Sequence, residues 1–474
     1  MFVPDWAAWL FEIHPAYLWT FAVSISITGV LGYLTRPGAK EQSLEATPAY
    51  REFEKNFLTA WCLCAMADWL QGPYVYALYA EYGYPREEIA QLFVAGFGAS
   101  CVGGIFAGAM ADKYGRRFAS HMYCVLYIVA CVTKHFNHYW ILMLGRVTGG
   151  VATSLLFSVF ESWAVSELTV RHKVGSKLQQ HLFGMMFYVN FLAAIAAGIV
   201  AQALVSTVPM RPGNTPAAND RGIYFGGMTT PFDASIICLV AGGSVIWAKW
   251  KENYGSAEPS AEAAQANGGG AWYAYWPLWV VGLIVAFFEG SMYIFVFNWT
   301  PALSPSGHTP PHGLVFAMFM MISMCGSSTF SLIDGQVDAK HLAMPIFGFG
   351  AVCLFVAMLA LSMPLATMIP VMLVSLQGFE FCVGMYFPVI ATIKSRVVPE
   401  HVRATAYNCY RVPLNAIVVA ILLVDMSLAA SFRWCVFMLC CAAGLMVPLR
   451  SVMAEGEREQ KSESYGAVEE SKLV

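Results

Sequence analysis

Apolar stretches of about twenty residues recur along almost the whole chain, each closed off by a short polar segment. An α-helix rises about 1.5 Å per residue, so a stretch of this length crosses the hydrocarbon core of a bilayer once. The first stretch occupies residues 16–35, and twelve more lie between residues 57 and 449. The pattern predicts an all-α polytopic membrane protein with thirteen spans. The divisions it suggests are an N-terminal transmembrane helix with a basic segment (1–56), a six-helix bundle (57–250), a linker (251–273), a second six-helix bundle (274–450) and a disordered tail (451–474).

Composition agrees and excludes a soluble fold. Of the 474 residues, 58% are hydrophobic and 12% charged, about half the charge of an ordinary globular domain. What charge there is gives an orientation. Twenty of the 27 Lys and Arg fall in alternate loops: 36–55, 113–117, 171–177, 249–251, Lys340, 394–403 and the tail from 450. The intervening loops hold only Arg86, Lys134, Arg211, Arg221 and Arg433. Basic loops stay in the cytoplasm, so the N-terminus is expected outside and the C-terminus inside. The first span has Asp5 and Glu12 before it and Arg36 and Lys40 after it, the reverse of a secretory signal, so it is expected to be retained. The plasma membrane is the expected location, an endomembrane the alternative. The 13 Cys sit in apolar runs without CxxC spacing and read as packing residues. His135, His138, His308 and His312 read as loop polarity. No metal, cofactor or nucleic-acid partner is expected, and the chain is expected to be a monomer in the lipid bilayer.

A few charges lie inside the spans. Arg146, Arg411, Asp68, Glu161, Glu289 and Glu380 all do. A charge at the bilayer centre costs about 2.5–3.5 kcal/mol on insertion scales, so such groups face a bundle interior or a wet cavity. At about 100° per residue, Arg146 and Glu161 fall within roughly 60° of each other on one helix. Trp69, Gln71, Tyr74, Trp163, Tyr293 and Tyr386 stand near these charges and offer walls and hydrogen-bonding tips. Pro73, Pro388 and Pro413 are expected to interrupt their helices and free backbone carbonyls for a cavity.

Between the second and third of the twelve spans runs Gly108-Ala-Met-Ala-Asp112-Lys-Tyr-Gly115-Arg116-Arg117. It resembles the loop signature G-x-x-x-D-x-x-G-R-R/K of the major facilitator superfamily. Gly115 suits a tight turn there, and Asp112 suits an arginine or a helix N-terminus. A degraded counterpart, Gly326 to Asp334-Gly335, lies between the eighth and ninth spans, and Arg146-Val-Thr-Gly149-Gly150 resembles the fourth-helix motif. Further segments narrow the likeness: Ala67-Asp-Trp-Leu-Gln-Gly-Pro-Tyr74, Leu155 to Trp163, Phe288 to Pro301, Glu380 with Gly384 to Pro388, and Tyr410-Arg-Val-Pro-Leu414. Together they resemble the molybdate-anion transporter branch of that superfamily, over residues 55 to 450. The resemblance implies a major facilitator fold of two six-helix bundles, here with one extra N-terminal helix. It also implies alternating access, a cytoplasmic latch at Gly108, Asp112, Gly115, Arg116 and Arg117, and molybdate as cargo. In that family the first, fourth, seventh and tenth helices line the cavity, and these carry Asp68, Glu161, Glu289 and Glu380.

Four carboxylates against Arg146 and Arg411 make an acidic cavity for a dianion, so two readings of the site stay open. In one, Arg411 and Arg146 hold an oxyanion while a protonated carboxyl carries protons with it, Glu289 or Glu380 being the carrier. In the other, the cargo is a cationic or neutral polar solute. A non-transporting sensor with the same fold is a third. The chain has no GxxxxGK[ST] loop and no nucleophile–base or metal constellation, so neither an ATP-driven pump nor an enzyme is expected.

Overall fold

A computed structural model describes residues 14–35, 47–213, 222–254, 275–305, 308–398, 403–424 and 426–470. Arg36, Lys40, Arg221, most of the 251–273 linker and the last four residues lie outside these. The helices are α1 (Pro15–Leu34), α2 (Pro48–Gln71), α3 (Val75–Glu81), α4 (Arg86–Tyr114), α5 (Arg116–Thr133), α6 (Tyr139–Ser166) and α7 (Ser176–Thr207). They continue as α8 (Thr230–Lys249), α9 (Trp276–Leu303), α10 (His312–Ile333), α11 (Ala339–Ala360), α12 (Leu365–Val397), α13 (Arg403–Leu423) and α14 (Leu428–Glu470). The protein is an all-α polytopic membrane protein. Among the described residues, ten helices are long and apolar enough to cross a bilayer. The other three expected spans are also helices, α2, α5 and α13, but each carries more charge or is apolar over a shorter length.

Local sequence explains the ends. Thr47 caps α2, its hydroxyl accepting from Tyr50 N–H at 3.2 Å, with Pro48 at the first helical position. Asp338 caps α11 in the same way through Lys340 N–H at 3.0 Å. Pro73 ends α2 and separates it from α3. Pro388 and Pro413, expected to interrupt their helices, lie inside the continuous α12 and α13. Each removes one N–H from the ladder, and in a packed membrane helix that loss does not unwind the flanking turns. Beyond Arg450, where composition predicts a structureless tail, α14 runs on to Glu470 through a Glu-, Lys- and Arg-rich segment, also a helix-forming composition.

The chain forms two compact units. Unit 1 takes the described residues of Met1–Ala257 with Trp299–Met321 and Leu422–Asp425; unit 2 takes those of Glu258–Asn298, Ile322–Ile421 and Met426–Val474. In unit 1, α6 packs on α4 and α5, while α2 packs on α7 and α8. In unit 2, α11 packs between α12 and α14. Large apolar side chains point away from these seams: Trp19 is 73% exposed and Ile105 68%, surface that only lipid covers without penalty. The described parts of the segment between α7 and α8 pair with each other. Arg211–Pro212 (β1) pairs antiparallel with Tyr224–Phe225 (β2), and Ile223 bridges to Phe136 at the α5–α6 turn.

Candidate functional site

Within unit 1, Asp68 lies in the last turn of α2, and its carboxylate accepts a hydrogen bond from the Tyr127 hydroxyl on α5. Beside it, Trp69 Nε1 donates to Asn190 Oδ1 on α7 at 3.0 Å. Gln71 does not join them: its amide turns back onto the Ala67 carbonyl of its own helix at 3.2 Å. Glu161 is exposed on α6 and makes no hydrogen bond or ion pair among the described residues.

Arg146 does not reach the Asp68 group. Its Nε donates to the Leu92 carbonyl of α4 at 3.1 Å, and its guanidinium lies over the Phe93 ring, 4.7 Å from the centre. Gly96 makes this possible, because a Cβ there would sit 2.6 Å from Arg146 Nη2. The fourth-helix arginine therefore fills the α4–α6 seam.

Unit 2 brings a second group together. Tyr386 on α12 donates its hydroxyl to Glu289 Oε1 on α9 at 3.0 Å, and its ring stacks on Phe288 at 3.9 Å. Glu289 also lies within electrostatic reach of Lys394 on α12 and Arg411 on α13, and Tyr293 within reach of Glu289 and Arg411. Arg411 is exposed, and its side chain forms no direct ion pair among the described residues. Glu380, on the same helix as Tyr386, is 5% exposed and has no hydrogen-bond or ion-pair partner among the described residues.

Lys394, Tyr127 and Asn190 are the site residues that sequence reasoning missed. Lys394 was grouped with the basic loop 394–403. It lies eight residues after Tyr386 in one unbroken helix, which turns it only about 80° from that tyrosine. That spacing was the available signal. Tyr127 and Asn190 carried none, since a tyrosine and an asparagine in an apolar helix do not announce which neighbour they serve.

The loop signature is built around Gly115, whose φ of +107° joins α4 to α5. Asp112 meets Arg116 Nη2 at 2.8 Å, but as an i,i+4 pair with the carboxylate side chain 51% exposed. The stronger fastening comes from Glu252. Its two oxygens accept from the N–H groups of Arg117 at 2.7 Å and Phe118 at 3.1 Å, where a helix N-terminus favours negative charge. Arg117 reaches across to the Trp247 carbonyl at 2.9 Å. Trp163 Nε1 donates to the Lys251 carbonyl at 2.9 Å, and its ring stacks on Trp250 at 3.8 Å. Gly108 has open space where a side chain would go. In unit 2 the comparable contact is not at Asp334: Asp338 takes Arg396 Nη1 at 2.8 and 2.9 Å. Burial pushes the Asp338 carboxyl up, but Arg396 and the Lys340 N–H outweigh it and hold the group below its ordinary range.

On the side opposite the basic loops, His135 clips three elements together. Its Nε2 meets Asp233 of α8 at 3.0 Å, and its Nδ1 lies 2.9 Å from the Tyr224 carbonyl of β2. Burial works against its charge, but Asp233 and the Tyr224 carbonyl outweigh it and raise its pKa.

Residues 17–387 match the model of a family described as sugar transporters with 12 transmembrane segments. A molybdate-anion transporter of Xenopus laevis is 31% identical over 411 residues, covering 84% of this chain and 85% of the relative. That of Danio rerio is 31% identical and covers 79% of each. Among solved structures, a D-xylose–proton symporter superposes with a TM-score of 0.64 at 12% identity, covering 83% of this chain and 96% of its own. A bacterial homologue of the iron transporter ferroportin, in an inward-facing state, has a TM-score of 0.64 at 12% identity and covers 84% and 98%. At such identities the structures speak for the fold alone.

Proposed function

Since the chain belongs to the twelve-span transporters of the major facilitator superfamily, a family of transporters and not of enzymes, we propose that it carries a small oxyanion by alternating access. Molybdate is the ion for which its curated relatives are named. The observation that carries this reading is the unit 2 group, where Lys394 and Arg411 both act on Glu289. Two cations within electrostatic reach of one carboxylate favour a tetrahedral anion, which Arg411 would hold through parallel N–H donors and Lys394 as a point charge.

Glu289 and Glu380 are the proposed proton carriers. Glu289 already competes with any anion for Lys394 and Arg411, so neutralising it frees both cations. Glu380 is buried without a counter-charge among the described residues, and holding such a carboxylate charged costs several kcal/mol. Asp68 and Tyr127 form the corresponding proposed polar group of unit 1. The bundles at 57–250 and 274–450, joined by the 251–273 linker, are the proposed moving halves of a monomer, and the plasma membrane is its proposed home.

The test is uptake of labelled molybdate by the reconstituted protein at two pH values, with sulfate, a sugar and an organic cation as competitors. Uptake competed by sulfate and lost in both Arg411→Gln and Lys394→Gln is the expected result. If both variants transport normally while Asp68→Asn and Glu289→Gln do not, the cargo is a cation and the oxyanion reading fails.

A further inference from the structure

Lys134 directly follows α5 and is 2% exposed, a burial lysine rarely reaches without a carboxylate beside it. Here there is none. Its Nζ lies 2.8 Å from Tyr79 Oη and 5.2 Å from the centre of that ring, and the amine makes no other hydrogen bond or ion pair among the described residues. From α3 comes Tyr79, and from the residue just after it Tyr82, which donates its hydroxyl to the Lys134 carbonyl at 2.6 Å. From α6 comes the Arg146 guanidinium, near enough to act on both Lys134 and Tyr79. Its own element offers only the Cys131 thiol. Asp233 of α8 is taken by His135 at 3.0 Å, and Asp68 of α2 by Tyr127. A charged amine would thus stand beside a second cation without an anion.

Tyr79 decides the protonation state. It is fully buried, and among the described residues the single hydrogen-bond neighbour of its hydroxyl is Lys134 Nζ. A buried hydroxyl proton needs an acceptor, and an ammonium has no lone pair to offer. A neutral amine has one, and accepts the Tyr79 O–H.

We propose that Lys134 is a proton-exchange site on the side opposite the basic loops, resting as a neutral amine that accepts the Tyr79 O–H and taking up a proton when that side acidifies. The proton comes from solvent and bonds to Nζ. The new ammonium then faces Arg146, and the Tyr79 hydroxyl loses its acceptor, so α3 loosens from α5 and α6. The unfolded chain binds this proton at neutral pH and the folded chain does not, so this group makes stability rise with pH.

Unfolding midpoints of the full chain in detergent, from about pH 6 to about pH 9, test this in wild type, Lys134→Met and Lys134→Arg. The neighbouring His135–Asp233 pair titrates in all three proteins and cancels in the comparison. The folding equilibrium of wild type relative to Lys134→Met should improve with pH, by up to about tenfold per pH unit. Lys134→Arg, charged throughout, should fall further behind wild type as pH rises. Parallel curves for wild type and Lys134→Met overturn the proposal. So does an arginine gap that stays constant with pH, a comparison that decides the matter alone if Lys134→Met does not fold. Chloride that stabilises wild type but not Lys134→Met also overturns it, because an anion would then be neutralising a standing ammonium. Stability is read here, not uptake, so the outcome is independent of the cargo.

Discussion

Arg146 and Arg411 carry the same charge inside apolar helices, yet their surroundings differ. Arg146 is held by a backbone carbonyl and an aromatic face in the α4–α6 seam, whereas Arg411 is exposed beside Glu289 and Tyr293. That both were intramembrane charges was legible in the sequence. Which way each guanidinium turned was not, because the answer for Arg146 depends on the missing Cβ of Gly96, fifty residues away on another helix. The difference predicts two kinds of failure. Arg146→Ala should cost about 1–3 kcal/mol of stability, the loss of a cation–π contact and a charged hydrogen bond, seen as a lowered unfolding midpoint with uptake per folded molecule largely kept. Arg411→Lys should leave the midpoint in place but weaken oxyanion uptake by about tenfold, because a lysine cannot supply the paired donors. Equal losses of uptake in the two variants, at equal folded amounts, would contradict this division.

The helices themselves followed from hydropathy, since an apolar run of twenty residues has few alternatives. The fastenings between them did not. The loop signature singles out Asp112 as the expected latch, but its contact is an exposed i,i+4 pair, of a kind worth about 0.3–0.5 kcal/mol. Glu252, which grips the N-terminus of α5 through two backbone N–H groups, lies at the start of a linker that composition describes only as polar. Glu252→Ala should therefore lower the unfolding midpoint by the equivalent of about 0.5–2 kcal/mol, the usual size of a lost helix cap, and Asp112→Asn by clearly less. On the opposite side, the His135 clip supplies a pH dependence. Its pKa is raised in the folded protein, so its contribution is full below the ordinary histidine value and fades as pH rises through the raised one. Hydrogen exchange in residues 222–227, corrected for intrinsic rates, should speed up as pH rises through that range, and Asp233→Asn should remove the dependence. An unchanged pH response in Asp233→Asn would show that the clip does not hold the β1–β2 ribbon.

The alternation of basic loops and the extra helix α1 both bear on how the whole chain crosses the membrane. Helix α1 packs along the first half of α10, with the Tyr17 hydroxyl 2.9 Å from His308 Nε2, Thr20 Oγ1 3.3 Å from Met318 Sδ, and Thr28 Oγ1 donating to the Met321 carbonyl at 3.4 Å. Neither hydropathy nor charge could choose this partner, because one face of an apolar helix is much like another until a hydroxyl finds an acceptor. The contact nevertheless constrains topology. It places the N-terminal end of α1, at Tyr17, beside His308 in the short segment that precedes α10, and so fixes Pro15 and His312 to the same side of the bilayer. The basic-loop count separately assigns that side to the exterior, since Lys340, Lys394 and Arg396 all fall in loops or helix ends of the opposite set. Single cysteines placed at His308 and at Val337, in a background stripped of its exposed cysteines, should then label from opposite faces of a sealed vesicle. The His308 site should react with an impermeant reagent from outside, and the Val337 site only after the membrane is opened. Labelling of both from one face would break the alternation and with it the thirteen-span topology. The reverse pattern would keep the spans but invert the chain, and would turn the Lys134 and His135 groups toward the cytoplasm.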